Sequence, residues 1–149
     1  MPLASGATAF VDYAHTDDAL ERVLTSLRDV LTAGGRLVAV FGCGGDRDRS
    51  KRPRMGAAAA RLADLAILTS DNPRSEDPLA IIREIEAGMG SDSRHLVEPD
   101  REKAIERGVN EVRAGDILLV AGKGHETYQE TREGRRPFSD VEILRRFQA

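Results

Sequence analysis

The sequence predicts an α/β domain with a mostly parallel sheet and helices on both faces. Strand-like apolar stretches alternate with amphipathic helical ones through residue 121. The stretch Leu37-Val38-Ala39-Val40 is continuously apolar, as suits a strand covered on both faces. Beyond residue 126 the alternation gives way to two short segments flanking Glu133-Gly134, the pattern of a C-terminal hairpin.

The elements follow in order. Residues 9–13 combine apolar, β-branched and aromatic side chains and predict a first strand. Leu20, Val23, Leu24, Leu27, Val30 and Leu31 recur at helical spacing and predict one buried face. Thr16 or Asp17 can cap that helix, and Gly34-Gly35 is expected to stop it. Residues 36–41 form the second strand, residues 57–65 an Ala-rich helix and residues 65–69 a third strand. Asp77-Pro78 places a capping side chain before a proline at the first helical position. Ile81, Ile82, Ile85 and Met89 supply the apolar face of that helix. Residues 95–98 are a weak strand. Asp100 caps a helix carrying Ala104, Ile105, Val109 and Val112, with Gly108 in its middle. Residues 116–121 are the strongest strand. Ser139 and Glu142 have capping-box spacing and begin a last short helix with Val141, Ile143, Leu144 and Phe147. The whole is a single Rossmann-like domain spanning residues 1–149, without an internal linker or repeat.

Composition narrows the function classes. Charged residues make up 32% and the formal net charge is −3, so no basic excess draws the chain to nucleic acid or membrane. Aromatic residues are 4%, with no Trp, which argues against base-stacking platforms. The lone Cys43 excludes an internal disulfide framework. No apolar run approaches a membrane span and no secretion signal is present, so a cytoplasmic location is expected. His15, His95 and His125 lack metal-ligand spacing, and no metal site is expected.

Four loops that follow strands hold most of the unusual chemistry. They are Asp12-Tyr13-Ala14-His15, the loop 42–48, Asp71-Asn72-Pro73-Arg74 and Gly122-Lys123-Gly124-His125-Glu126. In a parallel sheet ligands sit beyond the carboxyl ends of the strands, so all four are expected at one edge. The loop 42–48 has three glycines and neither Walker A nor dinucleotide-binding spacing. Its Arg47 stands between Asp46 and Asp48, which are expected to hold it by charge pairing while it presents a fork to a carboxylate. Pro73 stiffens the turn that projects Arg74, and the Asn72 amide can donate and accept together. Glu126 can accept from an ammonium, and Lys123 and His125 can meet phosphates or an acidic partner. Each segment alone reads equally as an ordinary turn with solvated charges. Together, two arginines, an asparagine and a glutamate suit a zwitterion with more than one charged centre.

These loops, with Lys51-Arg52-Pro53 and the tail from Tyr128-Gln129-Glu130 to Pro137-Phe138-Ser139-Asp140, resemble the C-terminal domain of Mur-type ligases. The match is to the UDP-N-acetylmuramoyl-tripeptide synthetases that add meso-diaminopimelate, and it covers residues 9–147. The resemblance implies an ATP-dependent, amide-forming ligase of peptidoglycan precursor synthesis. Such an enzyme joins the amino acid to UDP-N-acetylmuramoyl-L-alanyl-D-glutamate through an acyl phosphate. It implies that Arg47, Asp71, Asn72, Pro73 and Arg74 contact the amino acid, and that Gly122 and Glu126 hold its distal end. It further implies that Asp12 meets the ribose hydroxyls of ATP, with His15 nearby.

The sequence departs from the family at Thr16-Asp17-Asp18, where Thr-Pro-Asp is usual. No phosphate-cradling loop of the Walker type is present. ATP phosphates, Mg2+ and the UDP-linked muramoyl dipeptide are therefore expected to bind central and N-terminal domains that this chain lacks. Met1-Pro2-Leu3 reads as an artificial or truncated start, and the chain alone is expected not to ligate and to contain no catalytic residue. A lysine-adding relative, a free-standing ligand-binding domain and a folylpolyglutamate synthetase remain alternatives. Arg74 argues against lysine, which has no second carboxylate to pair with it.

Overall fold

The computed structural model describes residues 1–149. In chain order the elements are β1 (Thr8–Asp12), α1 (Asp17–Val30), β2 (Leu37–Phe41), α2 (Lys51–Leu62), β3 (Leu65–Leu68), α3 (Pro78–Glu86), β4 (His95–Val97), α4 (Arg101–Glu111), β5 (Ile117–Ala121), β6 (Tyr128–Thr131), β7 (Gly134–Pro137) and α5 (Asp140–Arg145). Five strands form a wholly parallel sheet in the order β1-β5-β2-β3-β4. β6 and β7 make a separate antiparallel hairpin. No helix is long and apolar enough to cross a membrane.

Both central strands, β2 and β5, are buried along their whole length, as their unbroken apolar sequence requires. Their alternate side chains feed two cores. Leu37, Ala39, Phe41 and Leu119 pack with Leu20, Leu24 and Leu27 of α1, Met55 and Ala59 of α2, and Ile81, Ile82 and Ile85 of α3. Val38, Val40, Leu118 and Val120 pack with Ala104, Ile105 and Val109 of α4, and Ile143 and Leu144 of α5. Leu3 joins this second core. Gly108 has a packing role. A Cβ there would lie 2.9 Å from Leu118 Cδ1, so the glycine lets α4 approach the sheet.

The expected caps form. Thr16 accepts from the Ala19 amide, Asp77 from Leu79, Asp100 from Lys103 and Ser139 from Glu142. Several boundaries differ from expectation, most clearly those of α1 and α2. α1 ends at Val30, before Gly34-Gly35; Val30 faces solvent and Leu31 is an extended C-cap. α2 begins at Lys51 and ends at Leu62, so the charged Lys51-Arg52-Pro53-Arg54 run is its first turn. Pro53 is tolerated there because first-turn amides have no intrahelical partner.

One ion pair is wholly enclosed. The Arg101 guanidinium donates to Asp140 at 2.8 Å through both Nε and Nη2, and neither side chain is exposed. Its remaining donors reach the carbonyls of Ser70 at 2.9 Å and Ala121 at 3.0 Å. The pair thus joins the N-termini of α4 and α5 to the chain leaving β3 and β5. Removing one member strands the other's charge in the interior. Arg101→Met is expected to lower the unfolding free energy by about 3–5 kcal/mol, read by urea unfolding. The double variant Arg101→Met/Asp140→Leu should recover part of that loss; a single variant as stable as the parent would contradict the role assigned to Arg101.

Candidate functional site

The loops after β1, β2, β3 and β5 converge beyond the carboxyl ends of their strands, as the sheet rule requires. They enclose an open cleft of about 550 Å³ lined by Tyr13, His15, Thr16, Gly44, Arg47, Asp48, Lys51, Asp71, Asn72, Arg74, Gly122 and Glu126. β2 and β5 are neighbours whose following chains depart to opposite faces, β2 into α2 and β5 towards α5. The cleft opens at that divergence.

Two of the loops are clasped to each other. The Gly45 amide donates to Asn72 O at 2.8 Å, and Arg74 Nη1 donates to Gly45 O at 2.9 Å. A Cβ on Gly45 would fall 1.9 Å from Pro73 O, so only glycine allows this approach. Asp46 and Arg74 both take left-handed backbone conformations, with φ of 56° and 52°. Each is held there from outside. Asp46 accepts from the Ser75 hydroxyl and amide, which keeps its carboxyl below the usual range. The Arg74 amide donates to Glu130 O in β6.

Beneath the clasp lies Arg52, with no exposed surface. It donates to Gly44 O at 3.0 Å, to both oxygens of Glu76 at 3.0 and 2.8 Å, and to Glu84 at 3.0 Å. The Arg52 hydrogen bonds, aided by the Asp46 amide, hold the Glu76 carboxyl at about 2. Burial pushes the Cys43 thiol up to about 12, so it is an inert part of the core.

The loop after β5 supplies the opposite wall. Gly122 has φ 117°, and a Cβ there would meet Asp71 Oδ2 at 2.5 Å. The ammonium of Lys123 has no exposed surface and lies 3.8 Å from Asp71 Oδ1, 2.7 Å from Asn72 Oδ1 and 3.1 Å from Glu126 Oε1. Burial lowers its pKa, an effect that the Asp71 charge opposes.

Of the residues expected at the site, Arg47, Asp71, Asn72, Arg74, Gly122, Glu126 and His15 line the cleft. Pro73 does not; it is buried and shapes the turn against Gly45. Asp12 does not line it either. Its Oδ1 accepts from the Ala14 amide at 2.8 Å and fixes the turn that presents Tyr13 and His15. Three expected interactions take another form. Arg47 is not paired with its flanking aspartates, which are engaged by Ser75 and Ser50; Nη1 donates to the Asp46 carbonyl and the exposed side chain is otherwise unengaged. Lys123 is too deeply buried to meet a phosphate, and His125 lies outside the cleft. Asn72 Oδ1 is already occupied, by Lys123 and by the Glu130 amide at 2.9 Å, which leaves Nδ2 as the group free for a ligand.

Several contributors were not singled out beforehand. Lys51, whose ammonium donates to His15 O at 2.6 Å, sits in the Lys-Arg-Pro motif, and Gly44 and Asp48 belong to the glycine-rich loop. Thr16 and Tyr13 adjoin His15. Nothing local marks Arg52 or Arg101 as buried, because their partners are remote in sequence.

A cleft at the carboxyl edge of a parallel sheet, lined by arginines and carboxylates together, is what an α/β domain for a small ligand of mixed charge would present. A family model described as "Mur ligase, glutamate ligase domain" matches residues 2–124, and the chain belongs to that family. It is 60% identical over 133 residues to the UDP-N-acetylmuramoyl-L-alanyl-D-glutamate–2,6-diaminopimelate ligase of Chromobacterium violaceum, covering 89% of this chain and 27% of that protein. It is 60% identical over 136 residues to the ligase of the same name from Chlorobaculum tepidum, covering 91% of this chain and 27% of the relative. A solved structure of a ligase with that name superposes with a TM-score of 0.86 at 49% identity, over 93% of this chain and 28% of that one. The E. coli FolC structure with ADP, at 19% identity and TM-score 0.60 over 82% of this chain and 27% of its own, shares the fold. The chain thus spans little more than a quarter of the curated relatives' length.

The Arg52–Glu76 pairing has a pH signature. Below its ordinary value of 4.5 Glu76 stays ionised when folded, down to about 2, but takes up a proton when unfolded. Its contribution is complete above pH 4.5 and is lost as pH falls through that window towards 2. Glu76→Gln is expected to be less stable at neutral pH and to lose stability less steeply between those values. Urea midpoints measured against pH test this; parallel curves for the two proteins would contradict it.

Proposed function

We propose that this chain is the amino-acid-receiving domain of an ATP-dependent ligase. The full protein would add meso-diaminopimelate to UDP-N-acetylmuramoyl-L-alanyl-D-glutamate in peptidoglycan precursor synthesis, in the cytoplasm. One observation carries the reading. The cleft brings together the donors Arg47, Asn72 Nδ2 and Arg74 and the acceptors Glu126 and Asp71. A diamino diacid carries carboxylates and ammoniums at both ends and complements both sets. The names of the relatives support the same ligand.

In this reading Arg47 and Arg74 hold carboxylates. Arg74 has Nη1 committed to Gly45 O and Nε 3.6 Å from Glu130 Oε2, which leaves Nη2 for the ligand. Glu126 has one oxygen engaged by Lys123 and the other available to an ammonium. Held at both ends, the amino acid can direct its remaining amine, once deprotonated, towards an acyl phosphate. The amine lone pair forms the C–N bond as the phosphate leaves with the C–O electrons and takes up the proton the nitrogen sheds, so orientation is what this domain supplies. His15, in the lining of the cleft, and Asp12, through the turn it fixes, serve one edge of ATP. Magnesium neutralises phosphate charge in such transfers. No three His, Cys, Asp or Glu side chains of this chain are grouped to hold a metal ion, so none is assigned to it. Phosphate handling and the UDP-linked dipeptide are assigned to parts of the longer relatives that this chain does not span.

Calorimetry of the chain with meso-diaminopimelate and with L-lysine tests the reading. The diacid is expected to bind more tightly. Arg74→Ala should weaken it about 10- to 100-fold, the worth of a hydrogen bond to a charged group, with little effect on lysine. Equal responses to both ligands in the parent chain would overturn the assignment.

A further inference from the structure

Lys123 sits in the middle of the candidate site yet exposes nothing to the cleft. Its ammonium and the Glu130 amide approach Asn72 Oδ1 at 2.7 and 2.9 Å and occupy both acceptor directions of that oxygen. The arrangement decides which way the amide faces. Flipping it would set an NH2 group against an ammonium and a backbone N–H, two donor–donor contacts in a buried place. Nδ2 is therefore turned away, towards the cleft, where no protein acceptor takes it. The same ammonium engages Glu126 Oε1 and lies near Asp71 Oδ1. Two carboxylates around one ammonium leave a single negative charge on that side of the cleft.

We propose that Lys123 is a positioning residue that sets the polarity of the cleft. It makes Asn72 a pure donor, fit for a carboxylate, and leaves one uncompensated carboxylate charge beside it for an ammonium. The proposal rests on the reading of the ligand as an amino acid with two carboxylates, but its core can be tested without any ligand. Lys123 acts through Asn72 and Glu126 and touches no substrate. Its cost is burial, which Asp71, Glu126 and a position 5.7 Å from the Tyr128 ring centre offset.

Two measurements on this chain, with Lys123→Met and Lys123→Arg, decide the matter. The first is the NMR coupling across the hydrogen bond from the Glu130 amide nitrogen to Asn72 Cγ, in ligand-free protein. The coupling is expected in the parent and in Lys123→Arg, and should be weakened or lost in Lys123→Met. Its absence from the parent overturns the proposal. So does an undiminished coupling in folded Lys123→Met. The second is calorimetry with meso-diaminopimelate and L-lysine. In Lys123→Met the ratio of the two affinities should fall about tenfold or more, with Lys123→Arg restoring part of it. A merely structural role would weaken both ligands equally and leave the ratio unchanged, which also overturns the proposal. Should Lys123→Met fail to fold, Asn72→Asp serves instead. It keeps an oxygen for Lys123 and Glu130 but turns a second oxygen to the cleft. It should bind the diacid about tenfold or more weakly while remaining folded, and parent-like binding of the diacid overturns the proposal. Loss of diacid selectivity in the parent, with the coupling intact, would instead count against the proposed ligand alone.

Discussion

A fully buried guanidinium, that of Arg101, links the two halves of the site. It is hydrogen-bonded to Asp140 and to the carbonyls of Ser70 and Ala121. Those carbonyls immediately precede Asp71 and Gly122, where the chains that build both walls of the cleft begin. β3 and β5 are not neighbours, since β2 runs between them. Arg101 bridges their exits directly, across the end of β2. A charge so deeply buried is tolerated only because its hydrogen bonds are met and Asp140 neutralises it. Such a pair adds little net stability over an apolar substitute, but it constrains geometry, and geometry is what a ligand site needs.

Similar logic repeats above it. Arg52 gathers Gly44, Glu76 and Glu84, and so ties the glycine-rich loop to the segment after Arg74. Lys123 gathers Asn72 and Glu126. Three buried cations thus stand behind a cleft in which Arg47 is exposed and has only one protein hydrogen bond. The division is physical. Buried cations that bridge two loops tie them together, whereas a solvated arginine retains donors for a ligand.

Much of the fold was legible because it follows from local chemistry. The strand and helix alternation, the caps at Thr16, Asp77, Asp100 and Ser139, and the hairpin around Glu133-Gly134 all form as the residue types dictate. The convergence of four loops was also legible, since a parallel sheet places every strand exit on one edge. What escaped depends on tertiary approach. Periodicity could not tell that Val30 lies just beyond the packed face, and the charged start of α2 hid a helical turn behind Pro53. Flanking aspartates suggested a partner for Arg47, but Ser50 and Ser75 claim them first. Asp12 also has a local task that its type did not announce, because its Oδ1 accepts from the Ala14 amide. Lys123 looked like a surface cation because no sequence neighbour announces the Asn72 oxygen that buries it.

The central claim is that one cleft reads both ends of a diamino diacid. The most direct test is an NMR titration of this chain with meso-diaminopimelate, following backbone and side-chain signals. The account predicts saturable shifts concentrated at Arg47, Asn72, Arg74, Gly122 and Glu126, the residues of three loops that meet at this cleft. Saturable shifts elsewhere, with these five unmoved, would contradict it.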